Sequence, residues 1–369
     1  MRQAPLAWFD KLRSGLERRG FKASEVDPCL FIHERVVCLV YVDDCLFFAK
    51  DASEIDQVIK SLQEEFELNV EESVSSFLGI EFTEQEDGRI KAAQPYLIER
   101  ILQATGLEQC NPCKTPAEIK PLGKCPDSEE RSENWNYASI IGMLTYLANS
   151  TRPDIQFAVH QCARFTHCPR RAHENAVKRI CRYLKGTKTE GMLIRQMTEL
   201  QLNCYADADF AGLWRVEHEQ DPTCVKSRTG YIVTLGENPI LWVSKLQSEV
   251  AVSTMEAEYI ALSQSIRELL PLKRILKEVG KTFGKNKFRV ITYSTIFEDN
   301  SGALTLAQCP KMTPRSKHIA VKYHFFRQFV TRGELEIRKV ESSKQKADIL
   351  TKGLTQQKFE QIRQLLLGW

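Results

Sequence analysis

Two arrangements of acids in this sequence could do chemistry. The first is Asp43-Asp44, closing the apolar run Val36-Val37-Cys38-Leu39-Val40-Tyr41-Val42. Adjacent carboxylates at the end of a β-branched strand suit a divalent cation, which offsets the repulsion that would otherwise penalise them. An acidic turn between two strands is the competing reading. The second arrangement is dispersed: Asp207, Glu258 (or Glu256), Asp299 and Asp348 each fall where a strand ends or a helix begins. Four converging carboxylates need hard cations between them. Two metals about 4 Å apart can activate a water and stabilise a leaving alkoxide, the chemistry of phosphodiester hydrolysis. Each acid taken alone reads as a solvated surface charge, so this reading depends on convergence. Between the two glutamates, Glu258 lies nearer the edge of the helical face formed by Met255, Tyr259, Leu262, Ile266 and Leu269, which makes it the better ligand.

A third feature is basic. Between Arg164 and Lys188 lie eight basic residues, Arg164, Arg170, Arg171, Lys178, Arg179, Arg182, Lys185 and Lys188, against a single acid, Glu174. A solvated basic face and a phosphate-holding surface are both consistent with that run. On the second reading, neutralising Arg179 and Arg182 together weakens nucleic-acid binding and flattens its salt dependence.

The elements that must position these groups follow from periodicity. Residues 6–19 show helical spacing up to Gly20, and strands follow at Phe31-Ile32, Val36–Tyr41 and Cys45–Ala49. Ser53 with Asp56 reads as a capping box for the next helix. Phe77–Thr83 and Ile90–Ala93 read as a hairpin around Glu-Asp-Gly-Arg, and Pro95 starts a helix that Gly106 stops. Residues 108–133 carry four prolines without periodicity, as a linker does. Helices are expected over 137–147, 154–165 and 174–184. Strands are expected at 202–206, 229–235, 240–244, 288–297 and 335–340, a long helix at 254–279, and helices at 319–330 and from about 346. That succession describes an α+β unit, a helical segment, and an α/β unit with a mixed five-stranded sheet flanked by helices. The implied boundaries are 1–93, 94–198 and 199–369.

The totals fit an ordinary globular chain. It has 369 residues, 43% hydrophobic and 27% charged, and a net charge of +3, so bulk charge says little about partners. Its longest apolar run is too short to span a bilayer and Met1–Pro5 has no signal core, from which a cytosolic or nuclear setting is expected. The twelve cysteines lack zinc-finger spacing and read as reduced thiols.

Against this background the motifs Tyr205-Ala-Asp-Ala-Asp-Phe-Ala-Gly212, Ser253-Thr-Met-Glu-Ala-Glu-Tyr-Ile-Ala-Leu262, Glu298-Asp-Asn-Ser301, Ser316-Lys-His-Ile319 with Tyr323-His-Phe325, and Ala347-Asp-Ile-Leu-Thr-Lys352 resemble the ribonuclease H domain of copia-type LTR retrotransposon polyproteins. Gln3-Ala-Pro5, Asp27-Pro-Cys-Leu-Phe31, Tyr41-Val-Asp-Asp44, Phe77-Leu-Gly-Ile80, Thr151-Arg-Pro-Asp-Ile155 and Arg182-Tyr-Leu-Lys-Gly-Thr187 resemble the same family's reverse transcriptase palm and the helical segment behind it. The resemblance implies that Asp43 and Asp44 are paired metal-binding acids of a polymerase, with Tyr41 beside the primer end and Gln3 lining the nucleotide and template site. It also implies that Asp207, Glu258, Asp299 and Asp348 bind two Mg²⁺ ions, or Mn²⁺ in their place, to cleave the RNA strand of an RNA–DNA hybrid. Asp209 is held as a neighbour of that set, and His318 and His324 as auxiliary candidates for proton transfer or product release, with helix packing as the alternative. Implied partners are hybrid and template-primer nucleic acid and other polyprotein parts, in a cytoplasmic particle or the nucleus. The palm strand carrying a further family aspartate has no counterpart before Asp43, so primer extension is expected to be lost while ribonuclease H survives. A non-catalytic nucleic-acid-binding remnant, and a truncated gene model of a full polyprotein, are the alternatives.

Overall fold

In a computed structural model of the chain, residues 4–71, 73–197, 199–217, 219–283, 289–291, 293–309, 319 and 321–369 are described. They form two compact units. The first comprises Met1–Ser73, Met197–Gln201 and Glu268–Thr292, and the second comprises Val74–Gln196, Leu202–Arg267 and Tyr293–Trp369. The long helix Thr254–Phe283 contributes to both.

In the first unit an antiparallel sheet runs in the order Lys22–Ala23, Leu30–Ile32, Val36–Tyr41, Asp44–Ala49. Helices Ala4–Arg18 and Ala52–Gln63 accompany it, and the core joins Leu12, Leu16, Phe31, Val36, Cys38, Val40, Leu62 and Phe66. The second helix is capped by Asp51, whose carboxylate accepts from Ser53 N at 3.0 Å, in place of the Ser53 box expected from sequence.

The second unit holds two sheets. Ser76–Phe77, Ile80–Glu84, Ile90–Ala93 and Met192–Ile194 make one. Its first two strands are separated by a turn at Leu78 and Gly79, both at positive φ, where one continuous strand was expected. The larger sheet is mixed, ordered Asn238–Leu246, Arg228–Leu235, Leu202–Asp209, Ser294–Glu298, Leu335–Lys339. The first three strands are antiparallel and the last two add in parallel. Helices pack against it, which is the ribonuclease H-like architecture implied by the resemblance.

One apolar core runs from the helices Pro95–Thr105, Tyr137–Ser150, Gln156–Ala163 and Arg171–Gly186 through Ile232 and Trp242 of the sheet to Ile349, Leu350, Phe359 and Ile362. Two motifs noted in the sequence lock that core. Arg152, fully buried, pairs with Asp154 at 2.8 Å and donates to Thr187, while the Tyr183 hydroxyl donates to Asp154 at 2.6 Å. Between the helices, residues 108–133 contain no helix or strand yet lie against two of them: Leu122 N donates to Gln161 of Gln156–Ala163 at 2.8 Å, and the Gly123 carbonyl meets His173 Nε2 of Arg171–Gly186 at 2.8 Å. This connector also passes behind the Asp348 helix so closely that a Cβ on Gly353 would stand 2.0 Å from the Glu118 carbonyl oxygen.

The helix expected over 319–330 is instead a short 3-10 turn at Val321–Tyr323 and a helix at Arg327–Thr331, and a helix not expected from sequence forms at Ser301–Gln308. Asn300 caps the latter by accepting from Gly302 N and Ala303 N. No helix among the described residues is long and apolar enough to cross a membrane.

Candidate metal centre

The carboxylates of Asp207, Glu258 and Asp299 each present an oxygen within 4.8 Å of the others. Three elements bring them there. Asp207 lies near the end of the central strand, Glu258 in the first turns of the long helix, and Asp299 just beyond the strand Ser294–Glu298. Parallel pairing of the central strand with Ser294–Glu298 sets their ends side by side. Gln247 ties the helix to the sheet, donating from Nε2 to the Ala257 carbonyl at 2.9 Å and to Thr229 Oγ1 at 3.1 Å.

Asp348 arrives from the other side, on the short helix Asp348–Thr351. Asp207 pairs across the sheet with Gly230, and a Cβ at Gly230 would stand 2.6 Å from Thr351 Cγ2. Glycine there lets the short helix lie on the strand. Gln345 fixes its approach by donating to the Ala206 carbonyl at 2.8 Å. Thr351 Oγ1 donates to Asp207, Lys352 Nζ sits 2.7 Å from Asp348 and 3.8 Å from Asp207, and Lys358 Nζ contacts the second oxygen of Asp348.

Burial makes the group electrostatically frustrated. Asp207 and Asp348 are each 2% exposed and Glu258 5%. Burial pushes the Asp207 carboxyl up to about 7, with Asp348 and Asp299 adding and Lys352 and Thr351 opposing. Glu258 is pushed up to about 11 by burial and by the charges of Asp207, Glu298 and Asp299. Its Oε2 has no hydrogen-bond partner among the described residues. An all-oxygen donor set with an orphaned buried carboxylate oxygen fits a hard divalent cation. Glu256, by contrast, turns back to the segment before its helix, accepting from Val252 N at 2.8 Å.

Glu298 is a buried acid that sequence reasoning missed. It is fully buried, burial raises it to about 8, and its Oε2 also lacks a partner. Both faces of its strand are covered, so residue alternation carries no cue. Asp209, raised by burial, lies against Gly212, where a Cβ would stand 1.7 Å from its Oδ2. His324 packs in the core, its Nδ1 2.8 Å from the Tyr259 hydroxyl. His318 and Gln3 lie outside the described residues.

The basic residues are largely spoken for. Arg164 pairs with Glu217 at 3.0 Å, Lys178 with Glu133 at 2.7 Å, and Arg179 with Glu118 at 3.5 Å and with Thr115. Arg182 donates to the Asn111 carbonyl at 2.8 Å, Arg171 contacts Glu129, and Arg170 lies 4.0 Å from Glu130. Lys188 pairs with Glu99 at 3.1 Å, and half-buried Lys185 makes no ion pair among the described residues. Most of these partners belong to the connector, whose acids lie far upstream in sequence.

In the first unit Asp43 and Asp44 are exposed beside exposed Tyr41 at a tight turn that pairs Tyr41 with Asp44. Val42 holds φ 54 there, a strained conformation for a β-branched residue, and its carbonyl accepts from Trp8 Nε1 at 3.2 Å. Among the described residues no third ligand-type side chain groups with this pair.

Comparison with known proteins gives a consistent identity. The family described as "Reverse transcriptase (RNA-dependent DNA polymerase)" matches residues 1–119. The "Retrovirus-related Pol polyprotein from transposon RE1" of Arabidopsis thaliana is 35% identical over 98% of this chain, and that from transposon TNT 1-94 of Nicotiana tabacum is 33% identical over 99%. The chain spans 24% and 27% of those relatives' own lengths. Among solved structures, LC11 ribonuclease H1 in complex with an RNA/DNA hybrid is 16% identical, covering 41% of this chain and 94% of its own, with a TM-score of 0.27. The strand order of the larger sheet, not that superposition, carries the fold.

Proposed function

The chain belongs to the family of copia-type retrotransposon Pol polyproteins, and on that footing we propose that its second unit is a divalent-metal-dependent ribonuclease H, cleaving the RNA strand of RNA–DNA hybrids. The observation that carries this reading is the meeting of Asp207, Glu258 and Asp299 within 4.8 Å, with Glu258 Oε2 unpartnered. Asp207, Glu258 and Asp299 would hold one Mg²⁺ or Mn²⁺, and Asp207 with Asp348 a second. Bound there, such ions supply an activated water and stabilisation of the leaving alkoxide.

The chain's own residues set the stage for that chemistry. Gly230 and Gln345 hold the short helix against the central strand, so that Asp348 faces Asp207 at fixed register. Ser342 Oγ donates to Asp299 at 2.8 Å and orients its carboxylate. Burial strips water from the acids and strengthens their hold on a cation. For the nucleic acid, the exposed guanidinium groups of Arg171 and Arg182, with half-buried Arg170 beside them, are the phosphate contacts best placed to exchange partners. Their links to the connector are solvent-facing, each worth about 0–1 kcal/mol.

Polymerase activity is not assigned to this chain. Asp43 and Asp44 stand without a third carboxylate among the described residues, and two acids at a solvent-facing turn do not fix a pair of metal ions. The test is incubation of purified protein and its Asp207→Asn variant with labelled RNA–DNA hybrid and Mg²⁺. Cleavage lost in the variant supports the reading, and cleavage no greater than the variant's removes it in favour of a non-catalytic nucleic-acid binder.

A further inference from the structure

The two halves of the acidic centre are neutralised differently. On the Glu258 side no ion pair reaches Glu258 or Glu298 among the described residues, and Glu258 Oε2 and Glu298 Oε2 are buried there without hydrogen-bond partners. On the Asp348 side both carboxylate oxygens are already taken: Lys352 Nζ is 2.7 Å from Oδ1, and Lys358 Nζ contacts Oδ2. Lys352 also lies 3.8 Å from Asp207 Oδ2, and therefore bridges the two acids that a second cation would need.

We infer that Lys352 is a positioning residue whose ammonium stands in for the second cation, so that the substrate-free protein takes one divalent ion, between Asp207, Glu258 and Asp299, and admits another only when Lys352 swings away. This rests on the metal-centre reading above. The physical grounds are steric and Coulombic. Mg²⁺ requires oxygen ligands at about 2.0–2.1 Å in near-octahedral array, and at Asp348 each oxygen already has one of its lone pairs turned to a lysine, so a cation must enter against two ammonium groups. An ammonium within about 4 Å of a dication also repels it. Yet Lys352 is not locked in place. Its side chain is 42% exposed, and a flexible four-carbon stem lets the head reach another anion. A phosphodiester arriving at the centre is such an anion, so substrate would release the second metal position by drawing Lys352 to itself.

The experiment uses the full chain without nucleic acid, titrated with Mn²⁺ by calorimetry. The wild type should bind one ion, Lys352→Arg likewise, and Lys352→Met two, its second site at least about tenfold tighter than any second site of the wild type. Thermal unfolding adds a readout that a merely structural role would not move. Lys352→Met should melt below the wild type in EDTA, and Mn²⁺ should recover most of that loss. Equal stoichiometry and affinity in wild type and Lys352→Met, or an equal melting deficit with and without Mn²⁺, overturns the inference. If the wild type binds no Mn²⁺ and Asp299→Asn changes nothing, the metal-centre reading falls and takes this one with it.

Discussion

The chain carries acids in two settings, and they behave oppositely. Asp43 and Asp44 sit exposed at a hairpin tip, where a charge keeps most of its hydration and costs little. Asp207, Glu258, Glu298 and Asp348 are buried around the meeting of a central strand, a parallel neighbour and two helices, where an uncompensated charge is expensive. The lesson is that acids adjacent in sequence can remain exposed at a turn, whereas acids separated by some forty to fifty residues at a time are buried together when strand order brings their elements to one place.

The largest expected effect that would break this contrast is catalytic. Glu258→Gln should lower hybrid cleavage on the order of 10²–10³-fold. A loss under about twofold in the labelled-hybrid assay would mean that the buried acids are idle.

Next is pH. Acids held above their ordinary range bind protons in the folded state that the unfolded chain has released, so stability falls as pH rises between the unfolded and folded values. With Asp207 at about 7, Glu298 at about 8 and Glu258 at about 11, the metal-free protein should lose melting temperature from about pH 4 through pH 8 and beyond. The loss should be several degrees, and saturating Mg²⁺ should restore more at pH 8 than at pH 6. Scans of Asp43→Asn and Asp44→Asn should show the same slope as the wild type. A flattened slope in either would erase the distinction between the two settings.

A third test addresses the exposed pair directly. Extension of a primed template should be undetectable, and reproducible incorporation that Asp43→Asn abolishes would overturn the assignment. The smallest effect is local: Val42→Gly should raise stability by about 1 kcal/mol in urea unfolding, by relieving a β-branched residue at φ 54. A net loss would mean that the strand contacts of the valine outweigh its strain.

Much of this was legible in the sequence, for identifiable reasons. The choice of Glu258 over Glu256 as the acid facing the group followed from helical phase, and the mixed sheet followed from the succession of strands and helices. Gly106, at φ 66, stops its helix as expected. What the sequence concealed were interactions between distant segments. Lys352 meeting Asp207, Gln345 reaching the Ala206 carbonyl, and Glu118, Glu129 and Glu133 covering a basic helix leave no periodic trace. The Ser301–Gln308 helix was hidden because its short run opens with Ser-Gly, poor helix formers whose start is secured by the Asn300 cap. The basic stretch looked open because its counter-ions lie in the segment that composition marks as a linker.

That segment has a reach beyond its own contacts. Because Gly353 accepts the Glu118 backbone with no space for even a methyl group, the connector forms the rear wall of the turn that carries Lys352. A protease nick near residue 118, or Gly353→Ala, would therefore displace the turn that carries Lys352, and on the proposal above its effect would extend from that turn to metal uptake. An irregular, proline-rich stretch is thus a remote mutational target for the metal centre, and variation there deserves the same scrutiny as variation in the acids themselves.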